Sequence, residues 1–384
     1  MSHLTAEQMQ LRESAGAVAD RYYADKALEW DAAATHLPDE ERRRLGELGY
    51  LGIAIGEQWG GSGGSLMDAL VVVEEVAKRC SLPAFQIFEA NTGPARVVEL
   101  YGTEEQRARY LPEIVAGQAT MAISISEPNA GSAATDMLTR GKVDGDTIVI
   151  NGQKRWCSGA GAAEYYLVYL RLSDERGAAG IGAVIVPKDA PGLTFGPREQ
   201  LMGFRGVPSA DMFFDNVRVP ASDVVVPAGG FSRLFGAFSI ERLGNATMSL
   251  SLAQAALDRT AAYVQERQQF GRDIVEFQAV QTQLADMVMQ VEAARLLIWR
   301  AAMSANPLPD VGQVSVAKCF ANEMAKRVTA TAMELHGGYG YHREYHVERY
   351  MRDAAGWAIA GGTPAIQRTR IASEYLGRRF GQRR

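Results

Sequence analysis

The chain has 384 residues, too many for one ordinary domain and enough for two or three. Hydrophobic residues make up 47% and charged residues 22%, which describes a globular protein with sizeable cores. A net charge of −5 argues against a general binder of phosphate backbones, so no nucleic-acid partner is expected. Three isolated cysteines, Cys80, Cys157 and Cys319, form neither a zinc motif nor a disulfide framework. With no apolar signal segment at the start, they point to a reducing cytoplasm. The apolar run Ala69–Val73 is far too short to span a bilayer, so no membrane insertion is expected.

The first 120 residues read as helices. Thr5 and Gln8 have capping-box spacing before a helix running to about Asp25. Further helices fit Asp39 to Leu48, Leu66 to Ala77 and Thr103 to Ala116. The glycine-rich stretch Glu57 to Gly64 lacks the Lys-Ser/Thr of a phosphate loop and reads as a tight turn.

From about Thr120 the texture becomes strand-like. Met121–Ser126, Tyr165–Leu170, Gly182–Val186 and Ala210–Phe214 are short β candidates. Asp144-Gly145-Asp146 reads as a hairpin turn, and Asn151-Gly152 as a second turn. Short strands with regular turns predict a small antiparallel barrel or sandwich.

After Pro227 three long apolar stripes follow at helical spacing. Leu243, Ala246, Leu250, Ala253 and Leu257 form the first. Val280, Leu284, Met287, Val291 and Ile298 form the second, and Phe320, Met324, Val328 and Leu335 the third. The expected fold class is therefore α+β. It comprises an N-terminal helical domain (1–120), a middle antiparallel β-barrel or sandwich domain (121–227) and a C-terminal four-helix bundle (228–384). Helices on both sides of a β insert suggest that the outer segments pack together and leave a cleft at the β junction.

Five segments, in this order, resemble the acyl-CoA dehydrogenase family of flavoproteins. They are Ser126-Glu127-Pro128-Asn129-Ala130-Gly131-Ser132; Asn151-Gly152-Gln153-Lys154-Arg155-Trp156-Cys157-Ser158; Glu266-Arg267-Gln268-Gln269-Phe270-Gly271 with Gln278; Gly337-Gly338-Tyr339-Gly340; and Gly362-Thr363 with Ile366-Gln367-Arg368. The resemblance covers essentially the whole chain and carries the same three-part fold. It implies FAD as cofactor. Ser126 and Ser158 would hydrogen-bond the flavin ring, with Ser158 near N5 and Trp156 lying against the ring. Ser132 would contact the pyrophosphate, and Thr363 would also touch FAD. Arg267, Phe270, Gln278, Gly337 and Gly338 would reach the adenine and phosphate end of FAD in a neighbouring subunit. A homotetramer is implied, with an electron-transfer flavoprotein as electron acceptor and an acyl-CoA or acyl-carrier-protein thioester as substrate.

The chemistry implied is α,β-dehydrogenation. A carboxylate takes the α-proton while donors hold the thioester carbonyl. Most members of the family carry Glu directly before the Gly-Thr pair, whereas this chain has Gly361 there, preceded by Ala360. A minority branch, resembling isovaleryl-CoA dehydrogenase, carries its Glu on the long helix within Glu-Arg-Leu. Glu241-Arg242-Leu243 matches that arrangement. Glu241 is therefore the expected base, against the plainer reading of Glu241-Arg242 as a surface helix pair. The Gly361 backbone N–H is expected to donate to the thioester carbonyl, with Arg242 and Ala360 beside the substrate. The missing side chain at 361 suggests a wider pocket and a branched or cyclic acyl group. Ala84 stands at the position matching the arginine of glutaryl-CoA dehydrogenase, which disfavours a second carboxylate on the substrate.

Two other readings stay open. Relatives without the usual Glu use the fold for desulfination, oxygenation or nitroalkane oxidation, and a flavoprotein can also serve as a non-catalytic subunit partner. His342 and His346 stand four apart, as metal ligands on a helix do, but no third ligand accompanies them. They read as loop histidines.

Overall fold

The computed structural model describes residues 3–378 and 380. Seven helices come first: α1 (Ala6–Tyr22), α2 (Ala27–Ala33), α3 (Asp39–Glu47), α4 (Leu66–Arg79), α5 (Ser81–Thr92), α6 (Pro94–Tyr101) and α7 (Glu104–Val115). Capping boxes start α1 (Thr5/Gln8), α4 (Ser65/Asp68) and α7 (Thr103/Gln106). Each satisfies two otherwise orphaned backbone N–H groups. Helix α2 had no counterpart in the sequence reading, nor did α5 and α6. Pro83 and Pro94 stand in their first turns, where a missing N–H costs nothing. The glycine-rich stretch is the tight turn expected: a Cβ at Gly61 would lie 2.1 Å from the Ile55 carbonyl oxygen.

The β module holds β1 (Met121–Ser124), β2 (Arg140–Asp144), β3 (Thr147–Ser158), β4 (Tyr165–Arg171), β5 (Ile181–Pro187), β6 (Leu193–Phe195), β7 (Ser209–Pro220) and β8 (Val224–Val226). Their order is β6-β7-β3-β2-β4-β5-β8, with β1 pairing β4. The β2/β3 hairpin turns at Asp144–Thr147 as expected. Pairing is antiparallel except at β4, which meets β1 and β2 in parallel. The second expected turn is a correction: Asn151-Gly152 lies inside β3, at a bulge against β7. Gly152 has φ +144°, and a Cβ there would come within 2.6 Å of Thr139 Oγ1. The glycine marks close approach of a neighbouring chain, not a reversal.

Five helices complete the fold: α8 (Phe231–Glu266), α9 (Gln278–Met303), α10 (Val311–His336), α11 (Val347–Trp357) and α12 (Pro364–Tyr375). α10 lies at the centre, packed on α8, α9, α11 and α12, and α8 also packs on α4 and α5. Phe88 of α5 meets α8 at Gly244, where a Cβ would lie 2.5 Å from the ring. The first and last helical segments therefore share one apolar core. One face of the sheet joins it through Leu167, Tyr169, Ala183 and Ile185. The other face has its own core around Val168, Leu170, Met212 and Val217. No described helix is long and apolar enough to cross a membrane.

Candidate active site

α8, α5, α10 and the sheet meet around Glu241. Its helix turn is buried on every side: Glu241 is 8% exposed and Arg242 3%. This overturns the reading of the two as a surface pair. Glu241 Oε2 is buried without a hydrogen-bond partner. A Cβ built on Gly361 would stand 3.2 Å from that oxygen. Positions 241 and 361, 120 residues apart in the chain, thus present their side chains to the same point in space. The volume that a side chain at 361 would claim is taken by the Glu241 carboxylate. A wider acyl pocket does not follow from Gly361.

Burial pushes Glu241 up to about 7, opposed by the nearby cations Arg242 and Lys318. A carboxylate without hydrogen bonds in a dry site is poised to accept a proton near neutral pH. Arg242 Nε donates to the Gly361 carbonyl at 2.9 Å, and its guanidinium stacks over Phe238. Arg242 therefore holds the loop. Lys318 of α10 is fully buried and donates to the carbonyls of Ala360 (2.7 Å) and Gly362 (2.6 Å). Asn245 Nδ2 reaches the Ala360 carbonyl at 3.4 Å. Ala360 itself is exposed beside this loop. Thr363 caps α12, its hydroxyl accepting from the Ile366 N–H.

Two functional groups here were missed in the sequence. Lys318 sits within the apolar stripe of α10, among Val314, Ala317, Ala321 and Ala325. A cation where a core residue belongs is a readable signal. Glu89 lies on the unassigned α5. Burial and the Glu241 carboxylate push it up to about 8. Its exposed surface faces a small cavity shared with Gln86, Thr120 and Met121. Ala84, by contrast, is fully buried in the helical core. The charged group that this helix places near Glu241 is an acid.

On the sheet side, the Arg155 N–H donates to the Ser126 carbonyl at 2.9 Å, bringing the two strand motifs together. Trp156 stands at a second bulge of β3, with φ +63° and 52% exposure. The bulge turns the ring out of the sheet, and a left-handed non-glycine residue is strain of the kind found at functional sites. Ser158 is half-buried, two residues on, opposite Ser209. Beneath this rim Lys154 is fully buried and bonds Glu127 Oε1 (2.9 Å) and the Ile125 carbonyl (2.8 Å), anchoring the Ser126 loop. Ser132 lies exposed on that loop.

A cavity of about 970 Å³ lies at the far end of α8. Arg267, Phe270, Gly337, Gly338 and Tyr339 line it. Gln278, which starts α9 close by, is exposed but outside this lining. Phe270 is 93% exposed, and Arg267 lies over the Tyr339 ring. Cβ atoms at Gly337 and Gly338 would meet nothing within 4 Å, so both backbones are open to a ligand. Arg267 stands 26 residues beyond Glu241, about 39 Å along the helix at 1.5 Å per residue.

His342 is exposed beside Glu344, at 3.9 Å, and His346 stacks on Tyr350, so the two face different surroundings. Among the described residues no group of three metal-ligating side chains occurs.

The fold and this arrangement define a flavoprotein built for acyl thioesters, and comparison with known proteins agrees. The chain matches the acyl-CoA dehydrogenase N-terminal domain over residues 5–118, the middle domain over 122–217 and the C-terminal domain over 228–376. It is 39% identical to a 3-sulfinopropanoyl-CoA desulfinase of Paraburkholderia xenovorans over the full length of both chains. It is 39% identical to a probable acyl-CoA dehydrogenase of Mycobacterium tuberculosis, covering 97% of this chain and 96% of the other. Butyryl-CoA dehydrogenase from Megasphaera elsdenii superposes with a TM-score of 0.93 at 33% identity, covering 97% of this chain and 99% of that one. The chain belongs to the acyl-CoA dehydrogenase family, whose members are FAD flavoproteins.

Proposed function

We propose that this protein dehydrogenates an acyl-CoA, or an acyl-carrier thioester, with Glu241 as the base. The observation that carries this reading is the unpartnered Glu241 Oε2, 3.2 Å from the Cβ position of Gly361. Glu241 takes the α-proton from the substrate carbon between the thioester carbonyl and the β-carbon. Its elevated pKa suits that task near neutral pH. The Gly361 N–H donates to the thioester oxygen, where charge develops as the proton leaves. Bound FAD supplies the two-electron acceptor for the β-hydride. Ser126, Trp156 and Ser158 would hold its ring, and Ser132 its pyrophosphate. The open glycine backbones and exposed Phe270 fit the dinucleotide's other end.

The 39 Å span within one chain supports a site completed by a second copy, as in a homotetramer. The exposed Val288, Met289 and Met303 of α9 give such an assembly apolar surface. An electron-transfer flavoprotein is the proposed acceptor. The acyl class is set by the cleft walls, and a branched or cyclic group is no longer favoured by the space at 361.

Mixing the FAD-loaded protein anaerobically with a panel of acyl-CoA thioesters tests this. Flavin bleaching is expected, and Glu241→Gln should abolish it. Bleaching at an unchanged rate in that variant removes Glu241 as base.

The desulfinase relatives favour a second reading, in which C–S cleavage by water releases sulfite and leaves the flavin oxidised. Glu241, which gains negative charge as it ionises near neutral pH, speaks against an anionic sulfinate beside it. Sulfite release from 3-sulfinopropanoyl-CoA without bleaching would establish it.

A further inference from the structure

Three successive carbonyls of the loop before α12 point into the bundle. Ala360 O accepts from Lys318 and Asn245, Gly361 O from Arg242 and Gln367, and Gly362 O from Lys318 and Gln367. Gly361 and Gly362 have φ of +69° and +91°, the left-handed backbone that lets consecutive peptides face one way. In a trans peptide the C=O of one residue and the N–H of the next are antiparallel. The donor that captures the Ala360 carbonyl therefore also decides where the Gly361 N–H points. That donor is an ammonium sealed in the core of α10, on the bundle side of the loop. The N–H is left facing the opposite side.

The same ammonium acts on Glu241. The charged and titratable groups that face this carboxylate are Arg242 on its own helix, Lys318 on α10, Glu89 on α5 and Tyr169 on β4. Arg370 of α12 faces Arg242 in turn. Arg242 is tied to the Gly361 carbonyl, so Lys318 is the cation contributed from a second helix. Burial pulls Lys318 down to about 8 while Glu241 pulls it back up. Each charge favours the ionised form of the other, against the burial that disfavours both.

We infer that Lys318 is a positioning residue for the reaction: it aims the Gly361 N–H at the thioester oxygen and serves as counter-charge to the base. This rests on the reading of Glu241 as base. One buried side chain would then control both the donor that receives the developing negative charge and the proton acceptor that creates it.

The test uses the full-chain, FAD-loaded protein and the variants Lys318→Met and Lys318→Gln. Met keeps the volume of the lysine stem, and Gln keeps one donor without the charge. Two quantities are read against pH: the anaerobic rate of flavin bleaching by an acyl-CoA, and the infrared carboxyl band of Glu241, isolated by difference from Glu241→Gln. In both variants the Glu241 midpoint should rise by ~1 pH unit or more, because an opposite charge has gone. In Lys318→Met the limiting rate at high pH should also fall by about 100-fold or more, as when one oxyanion donor is lost. Lys318→Gln should recover part of that limiting rate but none of the midpoint. An unmoved infrared midpoint and an unmoved limiting rate in a folded variant overturn the inference. If neither variant folds, the unaltered protein decides. A Glu241 midpoint below that of the lysine supports the pairing, and one above it means that the two charges never coexist. Bleaching that survives Glu241→Gln would remove the base assignment yet leave the infrared result standing, so the two failures are distinguishable.

Discussion

The two ends of α8 do opposite things with charge. Around Glu241 the ions are buried, unpaired in part and shifted toward neutrality. Around Arg267, 26 residues on, the rings of Phe270 and Tyr339 are exposed and the glycines bare. The first end works because water is excluded, which makes each nearby charge count. The second works because it is open, so that a ligand can supply what the chain lacks. On the proposed reading, chemistry and dinucleotide retention are separated along one helix, and substitutions at one end should leave the other's readout alone.

The largest expected break is Glu241→Gln. Bleaching by acyl-CoA should slow by about 10²–10⁴-fold, while the FAD content of the purified protein is unchanged. Loss of FAD as well would collapse the distinction between the two ends.

The same variant sharpens the comparison through stability. The folded pKa of Glu241, about 7, lies above the ordinary 4.5. A raised carboxyl contributes stability that is fully present below the unfolded pKa and lost as pH rises through the folded one. The wild type should therefore lose roughly 3 kcal/mol relative to Glu241→Gln between pH 4.5 and 7. Thermal unfolding of the two proteins at both pH values measures this. A constant difference would mean that the carboxyl is not shifted.

Arg267→Ala tests the open end. Losing a charged hydrogen bond to phosphate costs about 1.5–3 kcal/mol, so FAD should bind roughly 10–100-fold more weakly, measured by flavin release on dilution. The pH midpoint of bleaching in the FAD-saturated variant should stay where it was.

Gly361→Ala returns to the buried end. A side chain at φ +69°, 3.2 Å from Glu241 Oε2, should cost about 1–3 kcal/mol in a denaturant titration. An Ala as stable as the glycine would show that the carboxylate does not occupy that space.

The smallest effect is expected from Glu89→Gln. With its pKa near 8, Glu89 is mainly uncharged where Glu241 titrates. The bleaching midpoint near pH 7 should shift by only a few tenths of a unit. Any second inflection between about pH 7 and 9 should vanish.

Much of the open end was legible in the sequence. Arg267, Phe270 and the Gly337-Gly338 pair form short local motifs, and their placement in one cavity needs only a helix turn and a loop. The β2/β3 hairpin and the Thr5/Gln8 capping box were legible for the same reason, since each is decided by residues within a few positions of one another. Asn151-Gly152 misled because a turn dipeptide and a bulge share a composition, and only the partner strand β7 distinguishes them. Helices α2 and α6 escaped because they are only about two turns long, and α5 because a helix buried on most sides carries weak periodicity, and Glu89 escaped with it.

The sequence by itself determined the order of helical and β segments, the family motifs and the exchange of a carboxylate at 361 for one at 241. These depend on residue type and local spacing. Tertiary structure decided that the exchange is spatial, because nothing in a 120-residue separation says that two side chains share one point. It also decided that Lys318 is buried near Glu241, with its ammonium on the carbonyls of Ala360 and Gly362. Burial and the electrostatics that follow from it belong to the packing of four elements together, and no single segment of the chain encodes them.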